Sequence, residues 1–184
     1  MDIEKEKHVG LDYDILWAPW RMKYIETHGK RKGCVFCEAP RAEDPKEALV
    51  LYKGRKAYII LNKYPYNTAH TMIVPYRHVS SILLLDKDEL YEMSLMVKAV
   101  VKAITEVYKP HGFNIGINMG ESAGAGIAEH IHIHVVPRWC GDTNYTLIIG
   151  GVKVLPETLD QTYDKLKPAV EMACKEICGE NEWQ

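Results

Sequence analysis

The stretch His130-Ile131-His132-Ile133-His134-Val135-Val136-Pro137-Arg138-Trp139 decides how this chain is read, because its residue types alternate with a period of two. A strand turns successive side chains to opposite faces. Alternation therefore places His130, His132 and His134 on one face, about 7 Å apart, and gives Ile131, Ile133 and Val135 to the core. Three such histidines, out of 8 in the chain, are a poor match to the solvent side of an ordinary strand. Imidazoles so placed serve as metal ligands, as general acid and base, or as a nucleophile. The glycine-rich segment just before them, ESAGAGIAE at 121–129, favours phosphate, since exposed backbone N–H groups cradle an anion.

Working outward, AYIIL (57–61) and TMIV (71–74) are apolar runs separated by KYPYNTAH, and they predict two strands joined by a loop. FNIGINMG (113–120) predicts a further strand running into the glycine-rich loop, and HIHIHVVP (130–137) another after it. Asp86 followed by Glu89 forms a capping-box start. Leu90, Met93, Val97, Val101, Ile104 and Tyr108 then recur at helical spacing until Pro110, which predicts a long helix covering one sheet face. Leu159, Tyr163, Leu166, Val170, Ala173 and Ile177 form one stripe of a C-terminal helix, with Pro156 near its start. EAPRAEDPKEA (38–48) reads as a loop after the C-x2-C turn. The fold class is α+β, with an antiparallel sheet of about five strands, a long helix on one face and a C-terminal helix.

A chain of 184 residues suits one domain. We divide it into a mobile tail (1–10) and a single domain (11–184), made of an N-terminal arm (11–33), a core (34–140) and a C-terminal extension (141–184). The arm, LDYDILWAPWRMKYIETHGKRKG, carries Trp17, Trp20 and Tyr24 and reads as docked rather than disordered. With 47% hydrophobic residues, 26% charged and a net charge of -2, the chain has no global basic field for nucleic acid, so a polyanion must be met locally. No run approaches the roughly 18 apolar residues of a membrane span, and MDIEKEKHVG lacks a signal-peptide core. The expected compartment is the cytoplasm. The 5 cysteines, an odd number, argue for reduced thiols over a disulfide framework. Cys34 and Cys37 form half of a tetrahedral zinc site, a redox role being disfavoured by the absence of a strand-then-helix context. Trp17, Trp20 and Trp139 read as core or interface residues, Arg138 as a contact for phosphate or for a partner's carboxylate, and Lys30-Arg31-Lys32 as a solvated turn. Cys140, Cys174 and Cys178 receive no role.

The pattern at 130–136 resembles the signature of the histidine-triad superfamily. The resemblance extends to PRW at 137–139, to Asn118 and the loop after it, and to LNKYPYNTAHTMIVPYRHV at 61–79, covering roughly residues 34–140. ILWAPWRMKYI together with GCVFC looks like the branch of bacterial diadenosine tetraphosphate phosphorylases and related adenylyltransferases. The resemblance implies a histidine-triad-like fold in which His132 attacks an α-phosphorus and carries a transient nucleotidyl group. A backbone carbonyl near the first triad residue, His130, would orient His132, while His134 and His70 would bind phosphate oxygens. Asn118 would be a phosphate-side amide and Asn62 a neighbour of the ribose, although either could bond its own backbone in a turn. Many members place Gln and then Ser or Thr shortly before the first triad histidine. This chain has Gly126 and Ile127, so its loop is expected to use backbone N–H groups. His78 and His130 are candidates to complete the zinc site of Cys34 and Cys37, and the resemblance to zinc-bearing triad and galactose-1-phosphate uridylyltransferase-like proteins points to the same four. With four protein ligands the zinc would be structural.

The implied substrate is an adenine nucleotide or dinucleoside polyphosphate, and the nucleotidyl acceptor is inorganic phosphate (a phosphorylase) or water (a hydrolase, acting also on AMP-amidates). Two other classes compete: a nucleotide-binding regulatory module with little turnover, and a zinc-stabilised nucleic-acid binder, against which stand the missing basic stripe and second C-x2-C. No membrane partner is expected. A homodimer that extends the sheet is implied by the resemblance.

Overall fold

The computed structural model describes residues 33–143, 147, 149 and 153–179, all within one packed unit, Lys32–Gln184. The expected tail, nearly all of the arm with Trp17, Trp20 and Lys30-Arg31-Lys32, and parts of the C-terminal extension lie outside the described residues. Strands β1 (Val50–Lys53), β2 (Ala57–Leu61), β3 (Thr71–Pro75), β4 (Gly112–Gly116) and β5 (Ile133–Arg138) form one antiparallel sheet in the order β1-β2-β3-β5-β4. The β2 and β3 runs pair from Ala57↔Pro75 to Leu61↔Thr71, and every residue in them is buried. The sequence reading names four strands and expects about five; β1 is the fifth. A left-handed Leu49 (φ 61°) and a bulge between Val50 and Tyr52 break the alternation that would mark it.

Helix α1 (Val35–Glu38) starts at Cys34 and runs into a 3-10 turn at Ala39–Arg41, so the C-x2-C segment opens a short helix rather than a turn. Helix α2 (Lys87–Tyr108) begins with the Asp86–Glu89 capping box and ends at left-handed Lys109, just before Pro110. Its buried stripe, Met93, Met96, Val100, Ala103 and Ile104, packs against β2, β3 and β5. Helix α3 (Leu159–Cys178) has a second capping box, Thr158 with Gln161, and packs on α2 and β1 through Tyr163, Leu166, Val170 and Cys174. The helices thus bury the apolar side chains of the sheet, Val135 of β5 among them. His134, Val136 and Arg138 alternate with Val135 and share their face with Gly116, Asn114 and Gly112, their partners on β4.

Candidate active site

Strand β5 starts at Ile133 rather than at His130, which corrects the single-face expectation. The Ile131 N–H is taken by the Val79 carbonyl at 2.7 Å, so pairing with β3 begins only at Ile133↔Ile73. The three histidines consequently do three different things. His134 stands in the strand, His132 lies just before it with its ring centroid 4.6 Å from that of His134, and His130 turns its ring toward Cys34 and Cys37.

His132 is buried against Phe36, their ring centroids 4.8 Å apart. Its Nδ1 lies 2.9 Å from the His130 carbonyl oxygen. A carbonyl only accepts, so Nδ1 carries the proton and donates, and Nε2 is left with a free lone pair. Burial pushes the His132 imidazole below its ordinary pKa, more strongly than the bond to the His130 carbonyl raises it, and so favours the neutral ring a nucleophile needs.

The same reasoning sets the tautomers of the neighbouring pair. The Tyr66 backbone N–H donates to His70 Nδ1 at 3.1 Å, so the His70 proton sits on Nε2 and is donated to His134 Nδ1 at 3.0 Å. His134 must then carry its own proton on Nε2, as a donor on the open sheet face. Burial, reinforced by the neighbouring imidazoles, lowers His70 to about 3 and His134 to about 4. Asn62 reaches the pair through Nδ2, 3.4 Å from His70 Nδ1, but its Oδ1 accepts from the Tyr64 N–H at 2.9 Å, so it also shapes the loop that carries His70. Ala69, held left-handed (φ 61°), turns that loop into β3.

Asn118 shares a cleft with His134, whereas Gly126 is not among the described residues lining it. Trp139 is half-buried and donates from Nε1 to the Tyr108 carbonyl, closing β5 onto the end of α2. Tyr66 was not legible as a site residue because it acts on His70 through its backbone N–H. Its ring centroid also lies 4.6 Å from that of His70. Asp142 accepts from Asn67 and from Arg138, a convergence that only the fold creates.

Cys34 Sγ is 3.3 Å from His130 Nδ1, Cys37 Sγ is 3.4 Å from His78 Nδ1, and the four ligand atoms lie within 4.8 Å of one another. Tetrahedral bonds of about 2.0–2.3 Å would separate ligand atoms by about 3.5 Å, which the sulfur–nitrogen separations of 3.3, 3.4 and 3.6 Å match. His130 Nε2 donates to the Pro75 carbonyl at 2.9 Å, which leaves its Nδ1 lone pair for the cluster. Burial and the adjacent Cys34 raise the Cys37 thiol. These four residues could hold a metal.

Fold and site together define a class: α+β proteins that present neutral, tautomer-locked imidazoles on the open face of an antiparallel sheet, beside a Cys2His2 cluster. The sequence model of the HIT domain matches residues 43–140, and the chain belongs to the HIT family. It is 45% identical over 155 residues to the AP-4-A phosphorylase of Mycobacterium tuberculosis, spanning 80% of this chain and 79% of that protein. It is also 30% identical over 94 residues to the bis(5'-nucleosyl)-tetraphosphatase (asymmetrical) of Schizosaccharomyces pombe, 51% of each chain. Among solved structures, a Zn-bound histidine triad family protein from Mycobacterium smegmatis superposes with TM-score 0.63 at 24% identity, covering 78% of this chain and 97% of that one. Among the described residues no helix is long and apolar enough to cross a membrane.

Proposed function

We propose that this protein transfers a nucleotidyl group from a dinucleoside polyphosphate such as diadenosine tetraphosphate to inorganic phosphate, by way of His132. The observation that carries the reading is the bond from His132 Nδ1 to the His130 carbonyl, which leaves Nε2 free to attack. Nε2 forms a bond to the α-phosphorus as the bond from that phosphorus to the bridging oxygen breaks, and the polyphosphate leaves as ATP. The proton stays on Nδ1, hydrogen-bonded to the His130 carbonyl, which stabilises the charge developing on the ring. A phosphate oxygen then displaces His132 and forms ADP. His134 and His70 would hold the phosphate oxygens, Asn118 would bind beside them, Asn62 would meet the ribose, and the Gly126 loop would offer backbone N–H groups. The likeness to the AP-4-A phosphorylase supports phosphate as acceptor. Water as acceptor is the second reading, favoured by the likeness to a tetraphosphatase.

Cys34, Cys37, His78 and His130 would hold a structural zinc that fixes the His130 carbonyl without activating water. The unbridged cysteines support a cytoplasmic setting, and the exposed β4 edge at Asn114–Gly116 supports a homodimer that extends the sheet. The deciding experiment incubates the protein with diadenosine tetraphosphate, with and without phosphate, and resolves the products by ion exchange. ADP plus ATP only with phosphate is the expected result, with turnover reduced roughly a thousandfold or more in His132→Asn. AMP plus ATP without phosphate would make it a hydrolase, and near-native kcat in the variant would remove His132 as nucleophile.

A further inference from the structure

The cleft that begins at His134 and Asn118 does not end there. It continues along the sheet face to Arg138 and Lys153, enclosing about 590 Å³. Arg138 stands four positions after His134, about 13 Å along β5, a span that suits a chain of phosphates better than a single one. No aspartate or glutamate lines the cleft among the described residues, and its amides come from Asn67, Asn114 and Asn118.

The far end is built. Arg138 gives Nε and Nη2 to the two Asp142 oxygens at 2.6 and 2.9 Å and Nη1 to Asn114 Oδ1 at 2.7 Å. A guanidinium has five N–H donors, so two remain. Asp142, its side chain only 7% exposed, is fixed from behind by Asn67 Nδ2 at 2.8 Å and the Trp139 N–H at 3.2 Å. The carboxylate itself does not line the cleft, so it locks the guanidinium without presenting a negative charge to a ligand. Lys153 Nζ donates to the Asp142 carbonyl and keeps two further N–H groups. Among the described residues the Asp142 carboxylate thus pairs with Arg138 alone while Lys153 meets only a neutral backbone carbonyl, and the balance facing the cleft is positive. Asn67 also ties this end to the phosphate-binding loop, because its carbonyl accepts the His70 N–H at 3.1 Å.

Building on the proposed nucleotidyl transfer, we infer that Arg138 and Lys153 form a second anion subsite, which binds the distal phosphates of the leaving polyphosphate chain while the α-phosphate sits at His132. The subsite makes the protein selective for long leaving groups. Substrates with the same AMP moiety but different leaving groups separate this role from the chemistry.

The test compares kcat/KM for diadenosine tetraphosphate and adenosine 5'-phosphoramidate in the full chain and in Lys153→Met and Arg138→Lys. Inorganic tripolyphosphate binding is measured by titration calorimetry. Lys153→Met is expected to weaken tripolyphosphate binding and to lose about tenfold more kcat/KM on the tetraphosphate than on the phosphoramidate. Equal losses on the two substrates, or no loss on either, would overturn the subsite. If the parent turned over neither substrate, the transfer reading would fail by itself and calorimetry would still decide. Tripolyphosphate binding weakened at least about fivefold by Lys153→Met upholds the subsite, whereas absent or unaltered binding removes it. Arg138→Lys keeps the charge but loses the fork to Asp142, and a melting curve separates a folding defect from a binding one.

Discussion

His70 and His134 have no comfortable place for an extra proton. A proton added to His134 Nδ1 would meet the His70 Nε2–H head-on, and one added to His70 Nδ1 would meet the Tyr66 N–H. Burial adds to this, and the pair titrates far below an ordinary histidine, His134 at about 4 and His70 at about 3. Between pH 6.5 and 4 the unfolded chain therefore binds protons that the folded chain does not, so stability falls as the solution is acidified. The slope is at most about 1.4 kcal/mol per pH unit for each histidine. Above pH 6.5 both states are neutral and the contribution is constant. Urea midpoints should drop from pH 7 to pH 5 less steeply in His70→Gln than in the parent. In His70→Gln the acid limb of kcat/KM should move up, relative to the parent, toward the ordinary histidine range. Parallel profiles in parent and variant would mean that His70 does not set the protonation of His134.

At the scale of elements, Glu89 joins the start of α2 to the segment that follows β3. Its side chain is 1% exposed and accepts Arg77 Nε at 2.7 Å, Arg77 Nη2 at 2.6 Å and the Asp86 N–H at 2.8 Å. Removing it takes both carboxylate contacts from the half-exposed Arg77 guanidinium, which keeps the Leu84 carbonyl, and leaves a helix-capping N–H unpaired, next to His78. Glu89→Ala is expected to cost about 3 kcal/mol, against about 1 kcal/mol for Asp86→Ala. Chemical denaturation measures both, and equal small losses would reduce Glu89 to an ordinary cap. Asp86 and Glu89 were legible as a start signal because capping is local chemistry; the Thr158–Gln161 box is equally local, but the sequence reading marked that helix start by Pro156 alone. The Glu89 bond to Arg77 spans 12 positions and has no local pattern. The same distinction runs through the site. Histidine at every second position announced itself, whereas the Tyr66 N–H and the Asp142 clamp depend on backbone groups and on segments that meet only in the fold. The extent of β5 was misjudged for that reason too, since Val79, far off in sequence, takes the N–H that would have begun the ladder at Ile131.

For the molecule as a whole, the Cys2His2 cluster ties together three segments distant in sequence. Cys34 and Cys37 bracket the start of α1, His78 follows β3, and His130 precedes β5, 96 positions from Cys34. Closing loops of this length constrains the unfolded chain strongly, and four protein donors leave no position for substrate, so a bound zinc would act on folding and on geometry. The two effects meet at His130, whose ring faces the thiols while its carbonyl holds the His132 proton. Metal analysis is expected to find about one zinc per chain. Chelation, or Cys34→Ser, should lower the melting temperature by about 10 °C or more, in line with a loss of several kcal/mol. Because the carbonyl would then wander, kcat should fall in the metal-depleted protein even below its melting point, with KM less affected. A depleted protein that melts and turns over like the parent would show that the four residues hold no structural metal and that the segment from His130 to His132 is positioned by its bonds to Val79 and Pro75 alone.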